Sequence, residues 1–413
     1  MRISFYGNFG AGNLGNECTL QAIIEKVLQF EPDARLLCFC TNSEDVGARH
    51  QIAALPASVS RSAGHGSGAR RNRLLSRILR IVLRWIPLEL MQWLKSIGPM
   101  RRTDVLIIAG TGIVTDLSGP LGWPYEIFRL CTLARIFRIK IVFLSVGAGP
   151  INHALSRWFL KRSLGLADFR SYRDVASRDY LAQMGIDTSG DFVCPDVVFG
   201  LSRGKLPAQS TGGSERRIIG LGLKDYGADA ASQTGSRRLY LRAMADFVSW
   251  LHAQGYAVRL LIGDMHYDEP VVREFIALLS DLGVSAQPPL LLVDPVRTVE
   301  ELLNQLAATD AVISPRYHNL VMGLIQGKPV IALSDHAKLD SLVTDFGLAR
   351  FRLPLADLKS EMLIARFEEL RRDFDRLAPH VREGAEQYRH QVGGHYKLLF
   401  EKLSTWVPAA QTT

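Results

Sequence analysis

The chain has 413 residues, 47% of them apolar and 22% charged, ordinary for a globular protein and long enough for two or three domains with a large core. No apolar stretch approaches the roughly eighteen uncharged residues of a membrane-spanning helix, and "MRISFYGNFG" runs straight into a strand with no apolar leader, so neither a span nor a signal peptide is expected. The net charge of +8 is local: residues 61–102 hold nine Arg and one Lys against the single acid Glu89, which argues against nucleic-acid binding over the whole surface and for one local anionic partner. The five cysteines, Cys18, Cys38, Cys40, Cys131 and Cys194, are scattered. Cys38 and Cys40 alternate along a strand and point to opposite faces. Neither a disulfide nor a metal site is expected, and a reducing cytosol is.

In chain order, residues 2–6 (RISFY) predict a strand, 19–29 (TLQAIIEKVLQ) an amphipathic helix, and 35–40 (RLLCFC) a second strand. A Gly/Ser/Arg-rich stretch, 56–73, has loop character. It runs into "RLLSRILRIVLRWIPLELMQWLKSI", whose leucines, isoleucines and arginines recur at helical spacing until Pro87. Residues 104–109, 140–146 and 168–172 are further strands with helical patterns between, the alternation of a parallel sheet. "SRGKLPAQSTGGSERR" (202–217) reads as a linker. The alternation then restarts with strands 217–223, 257–263, 311–314 and 329–333 and helices 238–254, 270–282, 298–308 and 316–326. After Pro354 the chain reads helical and polar to about 404. The expected division is an N-terminal α/β domain, 1–205, with the basic amphipathic insert 61–102, a C-terminal α/β domain, 216–375, and a helical tail, 376–413. Two such halves place a cleft between them, with ligands at the carboxyl ends of strands.

Four loops follow strands. "GNFGAGNLGNE" (7–17) spells Gly10-x-Gly12-x-x-Gly15, a literal dinucleotide fingerprint. Three residues separate it from the strand, and Cys40-Thr41-Asn42 stands where the ribose-binding acid belongs, so no dinucleotide is expected. The loop is either a flexible glycine turn or a site where backbone amides and Asn8, Asn13 and Asn16 approach a polar ligand. In "AGTGIVTD" (109–116), Gly110 and Gly112 allow close backbone approach and Thr111 offers a hydroxyl; the plain alternative is a tight turn. "SVGAGPI" (145–151) carries Gly147, Gly149 and Pro150, and nearby "FRSYRDVASRDYL" (169–181) places Arg173 at a helix opening with Asp174 favourable in its first turn. The plain alternative for Arg173 is a surface ion pair. In "VISPRYHNLVMGLIQGKPVIAL" (312–333), Ser314 reads as an N-cap, Pro315 as the first helical residue, and Arg316 and His318 as first-turn residues. A helix start disfavours an extra cation unless a bound anion compensates, which is the geometry of a phosphate or carboxylate site. Otherwise His318 bonds a carbonyl and Arg316 runs out to solvent.

Together "GNLGNE", "LIIAGTGIVTD", "VGAGPI", "SYRDVASRDYL" and "ISPRYHNLVMGLIQGKPVIALSDHAK" resemble, in order and over roughly residues 3–345, the polysaccharide pyruvyl transferases. The Ser-x-Arg-Tyr-His block is the most specific. The resemblance implies two Rossmann-like domains facing a cleft (GT-B-like), with phosphoenolpyruvate as donor substrate, no cofactor and no metal. The enolpyruvyl unit passes to two hydroxyls of one sugar in a polysaccharide or lipid-linked oligosaccharide as a cyclic ketal, with release of phosphate. It associates Arg316 and His318 with donor binding and matches Arg173 to a family arginine; the residue types themselves then suggest His318 as proton donor with Arg316 in catalysis, and Ser314 and Lys338 beside the donor. Asn13, Asn16, Gly110, Thr111, Gly112, Gly147 and Gly149 fall in the acceptor-side loops. Two departures stand out: Asn16 replaces the family's usual aspartate, and Gly110-Thr111-Gly112 replaces a run of three glycines.

Two other readings compete. A GT-B glycosyltransferase would use a nucleotide-sugar donor, and a non-catalytic sugar-binding accessory protein would keep the fold, with Asn16 its best support. The expected setting is cytoplasmic, in exopolysaccharide or cell-envelope biosynthesis, peripheral on the inner membrane face through a basic helix over 70–93 that meets anionic headgroups.

Overall fold

In a computed structural model, residues 1–58, 86–207, 217–226 and 234–406 are described. Most of the basic helix expected over 70–93, and the linker from 208 to 216, lie outside them. The described chain forms two parallel sheets, each with helices between its strands.

The first sheet takes β1 (Arg2–Tyr6), β2 (Arg35–Cys40), β3 (Ala53–Pro56), β4 (Val105–Ala109), β5 (Lys140–Val146), β6 (Phe169–Tyr172) and β7 (Phe192–Val193) in the spatial order 3-2-1-4-5-6-7. The second takes β8 (Ile218–Gly222), β9 (Ala257–Leu261), β10 (Leu291–Leu292), β11 (Ala311–Ser314), β12 (Val330–Ser334) and β13 (Arg352–Pro354) in the order 10-9-8-11-12-13. Both are the doubly wound, Rossmann-like order, in which chain direction across the sheet reverses between the first and fourth strands. The central strands read as unbroken apolar runs because helices cover both faces: every residue of β4 is buried, as is β5 from Ile141 on. The strands not read from the sequence, β3, β7, β10 and β13, are the four sheet edges, two to four residues long. An edge strand needs no continuous apolar run, so it leaves little pattern to find.

Contacts divide the chain into one unit of Met1–Ala11, Val27–Val193 and the segment from Leu398, and a second of Gly12–Lys26 and Cys194–Lys397. This differs from the expected boundaries. The change of unit falls at Cys194, not near 205, and Gly12–Lys26 belongs to the second unit although it lies in sequence between β1 and β2 of the first unit's sheet. The expected separate tail is two helices, Ser360–Arg372 and Phe374–Trp406, and the division of the chain falls within the second, between Lys397 and Leu398. All five cysteines are free and buried.

His395, on the last helix, is 8% exposed, and burial pushes its imidazole down to about 4 from an ordinary 6.5. Between those values the unfolded chain holds a proton that the folded chain does not. Stability therefore falls with pH across that window, by about 1.4 kcal/mol for each pH unit. Denaturant titrations from pH 7 to pH 5 are expected to show this loss, and His395→Gln to flatten it.

Candidate functional site

The second unit's switch point lies where β8 and β11 end. At β8 the last residue, Gly222, is required: a Cβ there would stand 2.1 Å from the Ser314 hydroxyl. At β11 the strand runs through Ser314 itself, and the following helix starts only at Tyr317, with Arg316 as its N-cap. This corrects the expectation that Ser314 caps the helix. Pro315 has no N–H to continue the ladder, and the buried Ser314 Oγ instead accepts the Arg316 amide at 3.0 Å, closing a short side-chain turn. Arg316 is thereby fixed at the strand end, and His318 follows in the first turn of helix Tyr317–Ile325.

Two acids missed by the sequence reading complete the cluster. That reading began a helix at Pro270, but the helix runs Met265–Asp281, capped by Asp264, whose Oδ1 accepts the amides of His266 (3.1 Å) and Tyr267 (3.2 Å). Asp268 then falls in its first turn. It is fully buried, and its Oδ2 accepts the amides of Gly263 (3.0 Å) and Asp264 (2.9 Å), while Oδ1 accepts Arg316 Nε at 3.0 Å and Nη2. Burial pushes the Asp268 carboxyl up from its ordinary range, and Arg316 and the Asp264 amide pull it back. The pair spends two of the guanidinium's five N–H donors. Arg316 is thus a held fork with three donors left to give.

The N-terminal glycine loop joins this cluster. Asn13 pairs with Asp264 as an antiparallel bridge, flanked by Leu14 N→Gly263 O at 3.0 Å and Met265 N→Gly12 O at 2.9 Å, and Asn13 Nδ2 donates to Asp264 Oδ2 at 3.1 Å. The following helix begins at Leu14, five residues before the expected start, so Gly15 and Asn16 are helical. A Cβ on Gly15 would stand 2.1 Å from His318 Cγ and Nδ1, and one on Gly12 would stand 2.7 Å from the His266 ring. These glycines let the backbone lie against two imidazoles. Gly15→Ala is expected to displace the His318 ring, read as a shift of the His318 imidazole resonances in an NMR spectrum, with a tryptophan-fluorescence melt confirming that the fold survives. Asn16 is buried, and its amide donates to Asn13 Oδ1 at 3.2 Å.

Beyond β12, the Lys224 ammonium pairs with Asp335, with His336 Nε2 3.7 Å from the same carboxylate. Burial lowers the His336 pKa from its ordinary value. Lys338 lies with its ammonium 6.0 Å from the Tyr317 ring centre, and Tyr317 meets the His318 ring edge-on at 5.3 Å.

In the first unit, Gly110 follows β4 so close to β5 that a Cβ would stand 2.1 Å from the Ser145 carbonyl, where Ser145 itself has φ +48°. Thr111 Oγ1 accepts the Asn8 amide at 3.0 Å, and Asn8 Oδ1 accepts the Thr41 hydroxyl at 3.0 Å. Gly112 takes φ +74°. The Arg173 guanidinium lies on Gly147, where a Cβ would stand 2.4 Å from Nη2. Asp174 is the N-cap of helix Val175–Gln183, one position earlier than expected, and its Oδ2 accepts Arg173 Nε at 3.4 Å. Gly149, at φ +90°, packs on the Tyr180 ring. Within each unit the singled-out residues thus gather: Asn13, Ser314, Arg316 and His318 in the second, and Asn8 with Thr111 and Gly147 with Arg173 in the first. Among the described residues no group of three His, Cys, Asp or Glu could hold a metal ion.

Solved structures share this architecture at low sequence identity. A UDP-N-acetylglucosamine 2-epimerase described as putative, from Listeria monocytogenes, superposes with a TM-score of 0.59 at 10% identity, over 98% of this chain and 96% of that one. The Staphylococcus aureus MnaA–UDP structure does so with 0.61 at 11%, over 98% and 96%. The Anabaena protein HepE, in complex with UDP and glucose, gives 0.58 at 14%, over 98% and 100%. The fold is accordingly of the GT-B class, built from two Rossmann-like domains. No curated protein matches the chain in sequence. The family profile of polysaccharide pyruvyl transferase matches residues 13–336, most of the chain, and the protein belongs to that family. The match begins at Asn13, contains Arg316 and His318, and stops two residues before Lys338.

Proposed function

We propose that the protein transfers the enolpyruvyl unit of phosphoenolpyruvate to two hydroxyls of one sugar, forming a pyruvate ketal and releasing phosphate. The observation that carries this reading is the Arg316–His318 pair at the carboxyl end of β11, with Arg316 held by buried Asp268 at a helix start. Phosphoenolpyruvate brings about 2.5 to 3 negative charges on two groups. A held arginine with donors to spare, beside first-turn amides, suits one of those groups, and its planar fork binds either in a bidentate way.

The chemistry then asks for one acid. His318 gives a proton to the methylene carbon, and positive charge grows at C2. One sugar hydroxyl adds there, the C2–O bond to phosphate breaks, and the second hydroxyl closes the ring. Of the two hydroxyl protons one restores His318 and the other leaves on phosphate. Histidine suits the step because it exchanges protons near neutral pH. Asn16 offers no carboxylate to take a hydroxyl proton, so the base on the acceptor side falls to another group. The donor roles of Arg173 and Lys338 are further proposals, each tested by its own substitution.

The glycosyltransferase reading would require an acid to grip a ribose after a late strand. Asp335 stands at such a place and is engaged by Lys224. Thermal-shift titration separates the two readings: phosphoenolpyruvate is expected to raise Tm, and UDP- and GDP-sugars to leave it unchanged. Stabilisation by a nucleotide sugar alone would reverse the assignment. An accessory protein would bind sugar and release no phosphate from phosphoenolpyruvate.

A further inference from the structure

On the first unit, helices Ile86–Arg101 and Ala154–Gly165 both pack against helix Trp123–Ile136. Their inner contacts are defined: Trp93 Nε1 donates to the Tyr125 hydroxyl at 2.9 Å, and Phe159 packs on Tyr125 and Phe128. The outer side is of a different character. On Ile86–Arg101, the inward positions Gln92, Ser96 and Met100 repeat every four residues, which turns Leu90, Met91 and Leu94 outward. Leu90 is 60% exposed and Leu94 61%. On Ala154–Gly165, Leu155, Trp158 and Arg162 fall on one stripe, with Trp158 47% exposed and the Arg162 guanidinium 5.8 Å from its ring centre.

Charge on these helices is sorted. Their two acids face inward: Glu89 pairs with buried Arg129, and Glu126 accepts the Tyr6 hydroxyl at 2.7 Å. The bases Lys95, Arg101, Arg135, Arg157, Lys161 and Arg162 are all exposed. Pro87, expected to end the preceding helix, instead lies in the first turn of Ile86–Arg101.

We infer that the outer face of helices Ile86–Arg101 and Ala154–Gly165 docks on an anionic lipid bilayer, with Leu90, Leu94 and Trp158 entering the headgroup boundary and the surrounding lysines and arginines meeting lipid phosphates. Exposed leucines, a tryptophan with a polar edge and helices whose exposed charges are basic are what an interfacial surface needs. The arginines between 61 and 84 lie outside the described residues, and the proposal does not draw on them.

The test is flotation of the full chain with vesicles of phosphatidylcholine alone and of phosphatidylcholine mixed with phosphatidylglycerol. The protein is expected to float with the anionic vesicles only, and high salt to weaken the binding. Leu90→Gln with Leu94→Gln should lower the partition by about tenfold, and Lys161→Glu with Arg162→Glu by a comparable factor, with circular dichroism confirming folded variants. Unchanged flotation of either double variant would overturn the proposal and move any lipid binding to the arginines of 61–84. So would a concentration-dependent dimer that Leu90→Gln with Leu94→Gln dissolves, since a second copy would then be what covers the face. The readout needs neither phosphoenolpyruvate nor sugar, so it stands or falls apart from the assigned chemistry.

Discussion

His318→Asn is expected to lower the rate of phosphate release from phosphoenolpyruvate by about 10² to 10⁴-fold, the usual worth of a positioned general acid. Asparagine keeps much of the volume and a hydrogen-bonding tip, so the ring's setting against Gly15 and Tyr317 is disturbed little. It has no proton to give at neutral pH. The loss should therefore appear in kcat, with the KM for phosphoenolpyruvate changed by only a few fold. The descending limb of the pH–rate profile on the alkaline side should vanish in the variant, because that limb reports the acid. A variant with a raised KM, an unchanged kcat and the same pH profile would make His318 a binding group and return the proton transfer to another residue.

Asp268→Ala is the second large effect, and it acts first on stability. The carboxylate is fully buried and accepts from two backbone amides as well as from Arg316. Its removal leaves all of these without an acceptor and strands a guanidinium beside them. Breaking a buried ion pair from one side costs about 3–5 kcal/mol, read as a lower denaturation midpoint at unchanged m-value. The double variant Asp268→Leu, Arg316→Met separates stability from function. Replacing both charges with apolar groups of similar size is close to neutral, so much of the stability should return while phosphoenolpyruvate no longer shifts Tm. Arg316→Lys should keep much of the stability, because a cation still faces Asp268, yet weaken donor binding by about 2–3 kcal/mol through loss of the bidentate fork. Full donor binding by the double variant would remove Arg316 from the site.

Much of this arrangement was legible in the sequence because the site stands directly after buried strands. "AVISPRYH" announces its own geometry: an apolar run, a proline that ends it, then a cation and an imidazole where a helix must start. The central strands were legible for the same reason, being covered on both faces. Asp264 and Asp268 were missed because Pro270 reads as a helix boundary, whereas an aspartate cap lets the helix begin at Met265. The signal was present as an Asp directly after the strand and a second four residues on. The early start of the helix at Leu14 was hidden differently. Gly15 and Asn16 are poor helix formers, and what makes them helical is tertiary: a bridge to Asp264 and the close approach to His318. The membership of Gly12–Lys26 in the second unit was not legible either, since it depends on long-range backbone pairing that leaves no local pattern.

The glycines change meaning in the same way. Gly10, Gly12 and Gly15 match a dinucleotide fingerprint letter by letter, yet each is pressed by a side chain or backbone of this protein, from Asn42, His266 and His318 in turn. A motif made of glycines states only that something comes close, and here it is the protein itself.

The most direct measurement is turnover. The purified full chain is mixed with phosphoenolpyruvate and a panel of oligosaccharides and lipid-linked sugars, phosphate release is followed, and the acceptor's mass is read at the end. The account predicts phosphate release that depends on both substrates, with the acceptor heavier by one pyruvic acid less one water and His318→Asn slower by about 10² to 10⁴-fold under the same conditions. Acceptor modified from a nucleotide sugar, with phosphoenolpyruvate left intact, would contradict it.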